Sequence, residues 1–208
     1  MPTGPDKFVL RSTLTSPFGR KVRMAAQVLK LADSIELVPA NPLDENDTLR
    51  QQNPLGKMPC LITADGSVIY DSSVILEYLD RLAGGDRLLP AGGIARIKTL
   101  TLARLADGIT DAAILVVYES RYREPAQASE KWLSHQRGKI MRALAAFDAA
   151  PPDPAKTDIV AIGLACALGY LDWRKPVEWR RQCPKLAAWL DDFAKHEPAF
   201  DAMRAPSS

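Results

Sequence analysis

Short apolar runs and one amphipathic pattern alternate over the first part of the chain. Lys7 to Ser12 is rich in β-forming side chains and predicts a strand, and the apolar run from Ile35 to Val38 predicts a second one. Between them, Ser16-Pro17 combines an N-cap residue with the residue best suited to the first helical position. The apolar positions that follow share one helix face at the i, i+3, i+4, i+7 spacing; they are Val22, Ala25, Ala26 and Leu29. This order predicts two parallel strands joined by a right-handed crossover.

The next apolar positions predict a hairpin followed by a helix. Pro59 to Ile62 and Val68 to Tyr70 flank a gap that contains Asp65-Gly66, a dipeptide typical of hairpin turns. Asp71-Ser72 then precedes a run with helical spacing, and Gly84-Gly85 closes it. The element order βαβ-ββα predicts a thioredoxin-like α/β domain over residues 6–84.

The rest of the chain carries only helical patterns. Residues 84–93, GGDRLLPAGG, are rich in glycine, and we interpret residues 85–93 as a linker. The helical patterns beyond it are Ile94 to Tyr122, Ser129 to Phe147, Thr157 to Leu171 and Leu186 to Phe193. The third is apolar nearly all round, which is typical of a central buried helix. We therefore expect an all-helical domain over residues 94–204.

Composition and charge exclude some functions. The 208 residues carry a formal net charge of only +2, which gives no electrostatic basis for a nucleic-acid partner. Short basic groups, such as Arg20, Lys21 and Arg23, are interpreted as solvated helix faces. The first ten residues lack the basic head and apolar run of a signal peptide, and the longest apolar stretch is too short to span a bilayer. We expect a cytoplasmic protein with no membrane segment.

The cysteines predict neither a disulfide framework nor a metal site. There are three, Cys60, Cys166 and Cys183, and they are far apart and form no C-x-x-C pair. This spacing fits a reducing compartment. No metal is expected.

Three segments of the chain carry a combined signature. They are TSPFGRKV at residues 15–22, NPLGKMP at 53–59 and DSSVILEYL at 71–79. Each is weak alone, but in this order and on this architecture they resemble the glutathione transferase superfamily, close to its bacterial transferase-like members. The resemblance implies an all-helical C-terminal transferase domain and a homodimer that acts in detoxification. Its partners would be reduced glutathione, as co-substrate, and a hydrophobic electrophile or a peroxide.

The resemblance places Ser16 where many family members keep a thiol-activating hydroxyl. A free thiol has a pKa of about 8.5, so only about 3% is thiolate at neutral pH. A shift of about two units needs roughly 2.7 kcal/mol, which a hydroxyl donor at a helix N-terminus can provide. The other interpretation is that Ser16 only caps the helix. Ser12, Thr13 and Thr15 are neighbouring hydroxyls that could replace it.

The resemblance also implies how the tripeptide binds. Pro59 matches the family's cis-proline, which would turn the backbone of Met58 toward the cysteinyl part of glutathione as an added strand. Asp71 and Ser72 match the pair that holds the γ-glutamyl end, the carboxylate for the ammonium and the hydroxyl for the carboxylate. The remaining substrate-binding predictions are Lys57, for the glycyl carboxylate or as an ordinary surface lysine, and Phe18.

The second domain departs from the family pattern at one place. The family has Ser or Thr three residues before an aspartate at the start of the buried helix, whereas Ala155 precedes Asp158 here, so the cap hydroxyl is missing and Thr157 could start the helix later. Asp107 is a candidate for a ligand contact or for the dimer seam. The aromatic stretch at 118–122 fits either a co-substrate site or one helix face.

Other enzyme classes fit less well. Disulfide exchange needs a protein thiolate at the start of the first helix, where this chain has Ser16. A serine hydrolase needs a base beside its nucleophile, and the two histidines, His135 and His196, both fall in the helical part, with no G-x-S-x-G motif present. The alternatives left open are a non-catalytic binding or regulatory module with the transferase fold, and a glutathione-dependent isomerase or dehalogenase.

Overall fold

The computed structural model describes residues 7–206, and these form two units. The first unit holds the described residues up to Gly93 together with those from Ala199 onward, and the second is Ile94–Pro198. The sequence predicts a helical domain over residues 94–204. The structure differs at the end of the chain, where the last described residues return to the first unit.

The first unit is built on one mixed sheet of four strands. These are β1 (Phe8–Ser12), β2 (Ile35–Pro39), β3 (Cys60–Ile62) and β4 (Val68–Ile69), in the order β2-β1-β3-β4. β1 and β2 are parallel, whereas β3 is antiparallel to both of its neighbours. The predicted βαβ-ββα order and thioredoxin-like fold are confirmed.

Three helices follow the strands of this unit. α1 is Pro17–Val28, α2 is Leu49–Gln52 and α3 is Ser72–Leu82. α1 and α3 pack against each other, and each buries one apolar face, as the spacing predicts. α2 lies in the polar stretch before the proline loop, where four residues are too few for periodicity to identify a helix.

A buried arginine holds α2 against the end of β1. The Arg11 guanidinium donates to the Asp47 carboxylate at 2.6 Å and to Thr48 Oγ1 and Gln52 Oε1, both at 2.8 Å. The backbone N–H groups of Asn41 and Leu49 also donate to Asp47 and, with Arg11, hold the pKa of its carboxyl below the usual range. This contribution to stability is therefore complete above the ordinary aspartate pKa and is lost as the pH falls through the lowered one.

The second unit contains four long helices. They are α4 (Gly93–Tyr122), α5 (Glu130–Ala149), α6 (Ile159–Arg174) and α7 (Pro184–His196). α6 is buried on all sides from Ile159 to Leu168, which confirms the predicted central helix. Despite the length of α4, no helix within residues 7–206 is both long and apolar enough to cross a membrane.

The start of α6 shows how the chain replaces the missing cap hydroxyl. The helix begins one residue later than Asp158, and the Asp158 carboxylate accepts hydrogen bonds from the N–H groups of Val160 and Ala161, both at 3.0 Å. The cap is therefore the aspartate itself and not Thr157. A carboxylate suits this place because the helix N-terminus carries partial positive charge.

The end of the chain packs on α1. The short helix α8 (Ala199–Ala202) places the Phe200 ring beneath the Arg20 guanidinium, 4.3 Å from its centroid, and Arg20 also donates to the Phe200 carbonyl. Arg23 reaches Met203 Sδ at 3.4 Å. These contacts join distant parts of the sequence, so helical spacing alone did not reveal them.

Phe200→Ala is expected to lower the free energy of unfolding by about 3 kcal/mol, since it removes a large buried ring and leaves a cavity under Arg20. Urea unfolding followed by circular dichroism measures the change. Leu82→Ala, at a half-exposed position of α3, is the matched control and should cost less than about 1 kcal/mol. Equal losses in the two variants would contradict the packing role of Phe200.

Candidate active site

The three segments of the sequence signature lie next to strand ends at the same edge of the sheet. Arg11 of β1 is opposite Cys60 of β3, and Leu61 of β3 is opposite Ile69 of β4. The carboxyl ends of β1 and β4 therefore lie beside the amino end of β3. The loop before α1, the proline turn before β3 and the start of α3 all begin from this edge.

Ser16 is the N-cap of α1. Its Oγ accepts a hydrogen bond from the Gly19 N–H at 3.1 Å, and the residue is partly buried. A hydroxyl has two acceptor lone pairs and one donor proton, and this cap uses only a lone pair. Capping the helix therefore leaves the Ser16 proton available for a negatively charged partner, so the two interpretations of Ser16 are compatible.

The hydroxyl groups near Ser16 are either within hydrogen-bond distance of each other or buried. Thr13 and Thr15 lie within hydrogen-bond distance of each other, with 3.1 Å between their Oγ1 atoms. Ser12 is fully buried, and a Cβ added to Gly19 would come within 2.0 Å of its Oγ. Gly19 thus lets the first turn of α1 approach the end of β1 closely, a constraint that the sequence pattern did not show.

The turn before β3 is shaped by Asn53. As predicted, the Met58–Pro59 peptide is cis. The side chain of Asn53, which is buried, donates to the Lys57 carbonyl at 2.8 Å and accepts from the Leu55 N–H at 3.0 Å. In the sequence Asn53 indicates only a loop, whereas in the structure its side chain fixes the backbone that leads to Met58. The side chain of Lys57 is exposed.

The start of α3 presents the predicted acidic pair. Asp71 is exposed and caps the helix, with its Oδ1 accepting from the Ser73 N–H at 2.9 Å, while Ser72 is buried. α1 and α3 both begin at this edge of the sheet, so the partial positive charges of two helix N-termini face the same region. Such a region favours anionic groups. Phe18 is a partly buried residue of the first turn of α1.

The basic group of α1 is not a solvated face. Arg20 is only 7% exposed and Lys21 only 1%. The Lys21 ammonium donates to the Ser73 hydroxyl at 3.2 Å, which joins α1 to the first turn of α3. The interpretation of these cations as solvated is therefore wrong, because local charge pattern does not show which part of the chain packs over a helix face.

All three cysteines are buried, and none of them forms a disulfide bond. Burial raises the pKa of the Cys60 thiol, against the charge of nearby Arg11, and burial also raises the pKa of Cys183. Neutral, enclosed thiols are poor nucleophiles. Among the described residues, no group of three or more metal-binding side chains lies close enough together to hold a metal ion.

The native protein is expected to resist Ellman's reagent at pH 8, since its three thiols are buried and the raised pKa values of Cys60 and Cys183 keep those two protonated. The denatured chain should release three equivalents of thionitrobenzoate. The absorbance of the released thionitrobenzoate, measured for the native and for the denatured protein, gives the number of reactive thiols in each state. A rapidly reacting native thiol would show that one cysteine is accessible. A mechanism with a cysteine of the protein as the nucleophile would then have to be considered again.

The remaining predicted positions have partners inside the second unit. Asp107 of α4 is buried, ion-paired with Arg104, and lies near Gly163 of α6. Tyr118 contacts the Tyr122 ring edge-to-face at 5.4 Å. Both positions therefore take part in contacts within the helical unit, and the candidate ligand and dimer roles of Asp107 stay predictions.

Two family models match the chain. They are the glutathione S-transferase N-terminal domain, over residues 15–82, and the glutathione S-transferase C-terminal domain, over residues 130–192. The uncharacterized GST-like protein YibF of Escherichia coli (strain K12) is 34% identical over 200 residues, which cover 91% of this chain and 98% of that protein. A probable glutathione S-transferase of Solanum tuberosum is 26% identical over 199 residues, covering 91% and 87%.

Solved structures are similar over almost the whole chain. A glutathione transferase family member from Pseudomonas fluorescens Pf-5 with bound glutathione is 43% identical, with a TM-score of 0.90 and coverage of 97% of this chain and 100% of that one. A structure from the same source with bound S-(propanoic acid)-glutathione is 42% identical, with a TM-score of 0.85 and coverage of 96% and 100%. A glutathione S-transferase from Methylobacillus flagellatus KT with glutathione bound is 32% identical, with a TM-score of 0.86 and coverage of 96% and 100%.

Proposed function

The chain belongs to the glutathione S-transferase family, and from this premise we propose that it binds reduced glutathione and transfers its sulfur to an electrophilic small molecule. The observation that carries the proposal is the meeting of the Ser16 loop, the Pro59 turn and the start of α3 at one edge of the sheet. Each of these segments contains a group that can bind a different part of the tripeptide.

The backbone and the charged groups would hold the tripeptide. The backbone of Met58, next to the cis peptide, pairs with the cysteinyl residue as an added strand would. The Asp71 carboxylate attracts the γ-glutamyl ammonium, and the Ser72 hydroxyl and the N-terminus of α3 receive the neighbouring carboxylate. Lys57, which is exposed, provides a cation for the glycyl carboxylate, and Phe18 lies in the first turn after Ser16.

Ser16 would act on the sulfur. Its free proton donates to the thiolate while its lone pair keeps the cap with Gly19, and the helix N-terminus adds further stabilisation. The thiol proton leaves to solvent, the thiolate attacks an electrophilic carbon, and the carbon–sulfur bond forms as the leaving group departs with the bonding electrons. The protein supplies position and charge stabilisation and forms no covalent intermediate.

The relatives support this ligand class. The Pseudomonas fluorescens protein has been crystallised with glutathione and with S-(propanoic acid)-glutathione, a thioether of the kind that conjugation produces. Sequence identity above 40% over nearly the whole length makes the same tripeptide the first ligand to test here.

Calorimetry and one kinetic assay test the proposal. The full chain titrated with reduced glutathione should give saturable heat at millimolar ligand or below, and 1-chloro-2,4-dinitrobenzene with glutathione should give a conjugation rate above the uncatalysed rate. Binding without turnover of several electrophiles would favour the non-catalytic module. The absence of both heat and turnover would reject the proposed function.

We also propose that the protein is a homodimer. In the first unit, Leu55, Tyr70 and Val74 leave apolar surface exposed around the proline turn and the start of α3. A second copy of the chain would cover this surface. Light scattering coupled to size-exclusion chromatography should give twice the chain mass of 22.8 kDa; a concentration-independent monomer would reject the dimer.

A further inference from the structure

The short helix α2 depends on its surroundings for its position. It contains four residues, whereas an isolated helix needs roughly 12 to 15 residues to be even marginally stable in water. Of these four residues only Leu49 is buried, in a small apolar cluster with Ala40 and Cys60. A single apolar anchor does not fix the direction of a helix. The orientation of α2 therefore depends on its polar contacts.

Arg11 of β1 provides such contacts. Its side chain is 8% exposed, and its guanidinium donates at 2.6, 2.8 and 2.8 Å to three side chains in or just before α2, namely Asp47, Thr48 and Gln52. Another bond, at 3.2 Å, reaches the Pro39 carbonyl at the end of β2. Because the guanidinium is planar, the directions of these bonds are fixed together. Arg11 thus sets the orientation of α2 as well as its distance from the sheet.

Stability alone is a weak reason for an arginine at this position. The Nε of Arg11 is buried and has no acceptor within the part of the chain that the structure describes. A buried donor without an acceptor is unfavourable, and a buried ion pair often contributes little net stability compared with apolar side chains of similar size. The placement of α2, in contrast, is a direct result of the bonds that Arg11 forms.

α2 leads directly into the proline turn, residues 53–59. The Asn53 N–H closes the helix by donating at 2.7 Å to the first carbonyl of α2, and the Asn53 side chain then holds the Lys57 carbonyl. The aliphatic part of Arg50 lies 3.3 Å from where a Cβ on Gly56 would be, and Gly56 has a φ of 59°, which favours glycine. Both contacts make the backbone around Met58 depend on where α2 lies.

We propose that Arg11 is a positioning residue for glutathione. Through α2 it holds the proline turn in the arrangement in which the Met58 backbone pairs with the cysteinyl residue. This inference rests on the proposed function, since it concerns affinity for the same tripeptide. Because Arg11 acts through α2 and not on the sulfur, its loss should weaken glutathione binding and leave the chemical step at saturating glutathione unchanged.

Calorimetry and steady-state kinetics of the full-length protein test this with reduced glutathione and 1-chloro-2,4-dinitrobenzene. Arg11→Met removes the guanidinium bonds and should raise the dissociation constant and the KM for glutathione about tenfold, with kcat within about twofold of the wild type. Arg11→Lys keeps a cation beside Asp47 and should hold both constants within about threefold of the wild type. A fall in kcat with an unchanged KM would overturn the proposal.

Hydrogen exchange measures the placement of α2 without glutathione. In the ligand-free protein, the amides of residues 47–58 should exchange at least about tenfold faster in Arg11→Met than in the wild type, while the amides of α1 keep their rates. Unchanged exchange over residues 47–58 would show that Arg11 does not hold α2 and would overturn the proposal.

The matched control is Arg87→Met. Arg87 belongs to the same unit and donates to the Val28 and Leu29 carbonyls at 3.2 and 3.3 Å, before β2 begins, whereas α2 follows the end of β2. Its removal changes the net charge equally. It should alter neither the exchange of residues 47–58 nor the dissociation constant for glutathione. Equal weakening of binding in Arg87→Met and Arg11→Met would show a general effect of charge and would overturn the proposal.

A second variant keeps the test decisive if Arg11→Met does not fold. Arg11→Met combined with Asp47→Asn leaves no uncompensated buried charge and should give the same rise in the dissociation constant. A wild-type protein that does not bind glutathione would reject the proposed function and this proposal together. Wild-type binding that the folded Arg11 variants leave unchanged would overturn this proposal alone.

Discussion

Ser16→Ala is expected to lower the conjugation rate at pH 6.5 by about 50-fold and to have little effect at pH 9.5. If Ser16 lowers the pKa of the bound thiol by about two units from about 8.5, about half of the sulfur is thiolate at pH 6.5 in the wild type and about 1% in the variant. Above pH 9 most of the bound glutathione is thiolate in both proteins, so their conjugation rates become similar. The rate measured against pH with saturating glutathione gives both pKa values.

Two controls separate activation from helix capping. Ser16→Thr keeps a lone pair for the Gly19 N–H and a proton for the sulfur, so it should keep most of the activity. Thr15→Val removes a hydroxyl that contacts Thr13 and should leave the pH profile in place. The lost cap in Ser16→Ala costs about 1 kcal/mol of stability, which thermal unfolding measures independently. A profile that does not shift in Ser16→Ala would remove this hydroxyl from the mechanism.

Asp71→Asn is expected to weaken glutathione binding about 30-fold without unfolding the protein. Asparagine caps a helix as well as aspartate does, so the bond to the Ser73 N–H is kept, but the charge that attracts the γ-glutamyl ammonium is lost. A hydrogen bond to a charged group contributes about 1.5–3 kcal/mol, which corresponds to roughly 10- to 150-fold in the dissociation constant. Isothermal titration with reduced glutathione measures the change.

The matched control for this charge is Asp33→Asn. Asp33 is an exposed carboxylate of the same unit and lies in the turn before β2, away from the three signature segments. Its removal changes the net charge equally and should leave the dissociation constant within about twofold. Equal weakening in both variants would indicate long-range attraction instead of a contact with Asp71.

The sequence predicts the elements of this fold well because their signals are local. The pattern around Ser16-Pro17 and the apolar run of α6 identify helices from neighbouring residues alone. The meeting of the three segments was expected only from the resemblance to the family, and the observed strand order β2-β1-β3-β4 brings those ends together. The cis-proline was predicted only because the segment resembles a family in which it is known.

What the sequence does not predict depends on partners far along the chain. Nothing near Lys21 shows that Ser73 will cover its ammonium, and nothing near Arg20 points to Phe200. Asn53 forms its hydrogen bonds within its own turn. Asparagine is common in loops of every kind, so its presence in the sequence does not indicate this role. The cap of α6 was misplaced by one residue because Thr157 and Asp158 are both good caps, and only the helix start distinguishes them.

The return of α8 to α1 affects how this protein is made in the cell. During synthesis the strands of the sheet, α1 and α3 are made long before Phe200 leaves the ribosome. Until then the Phe200 ring cannot pack against Arg20, and this surface of α1 stays exposed. The first unit can fold completely only after Phe200 has been made and has left the ribosome. A fragment that stops at Gly93 would lack Phe200 and would remain in that incomplete state.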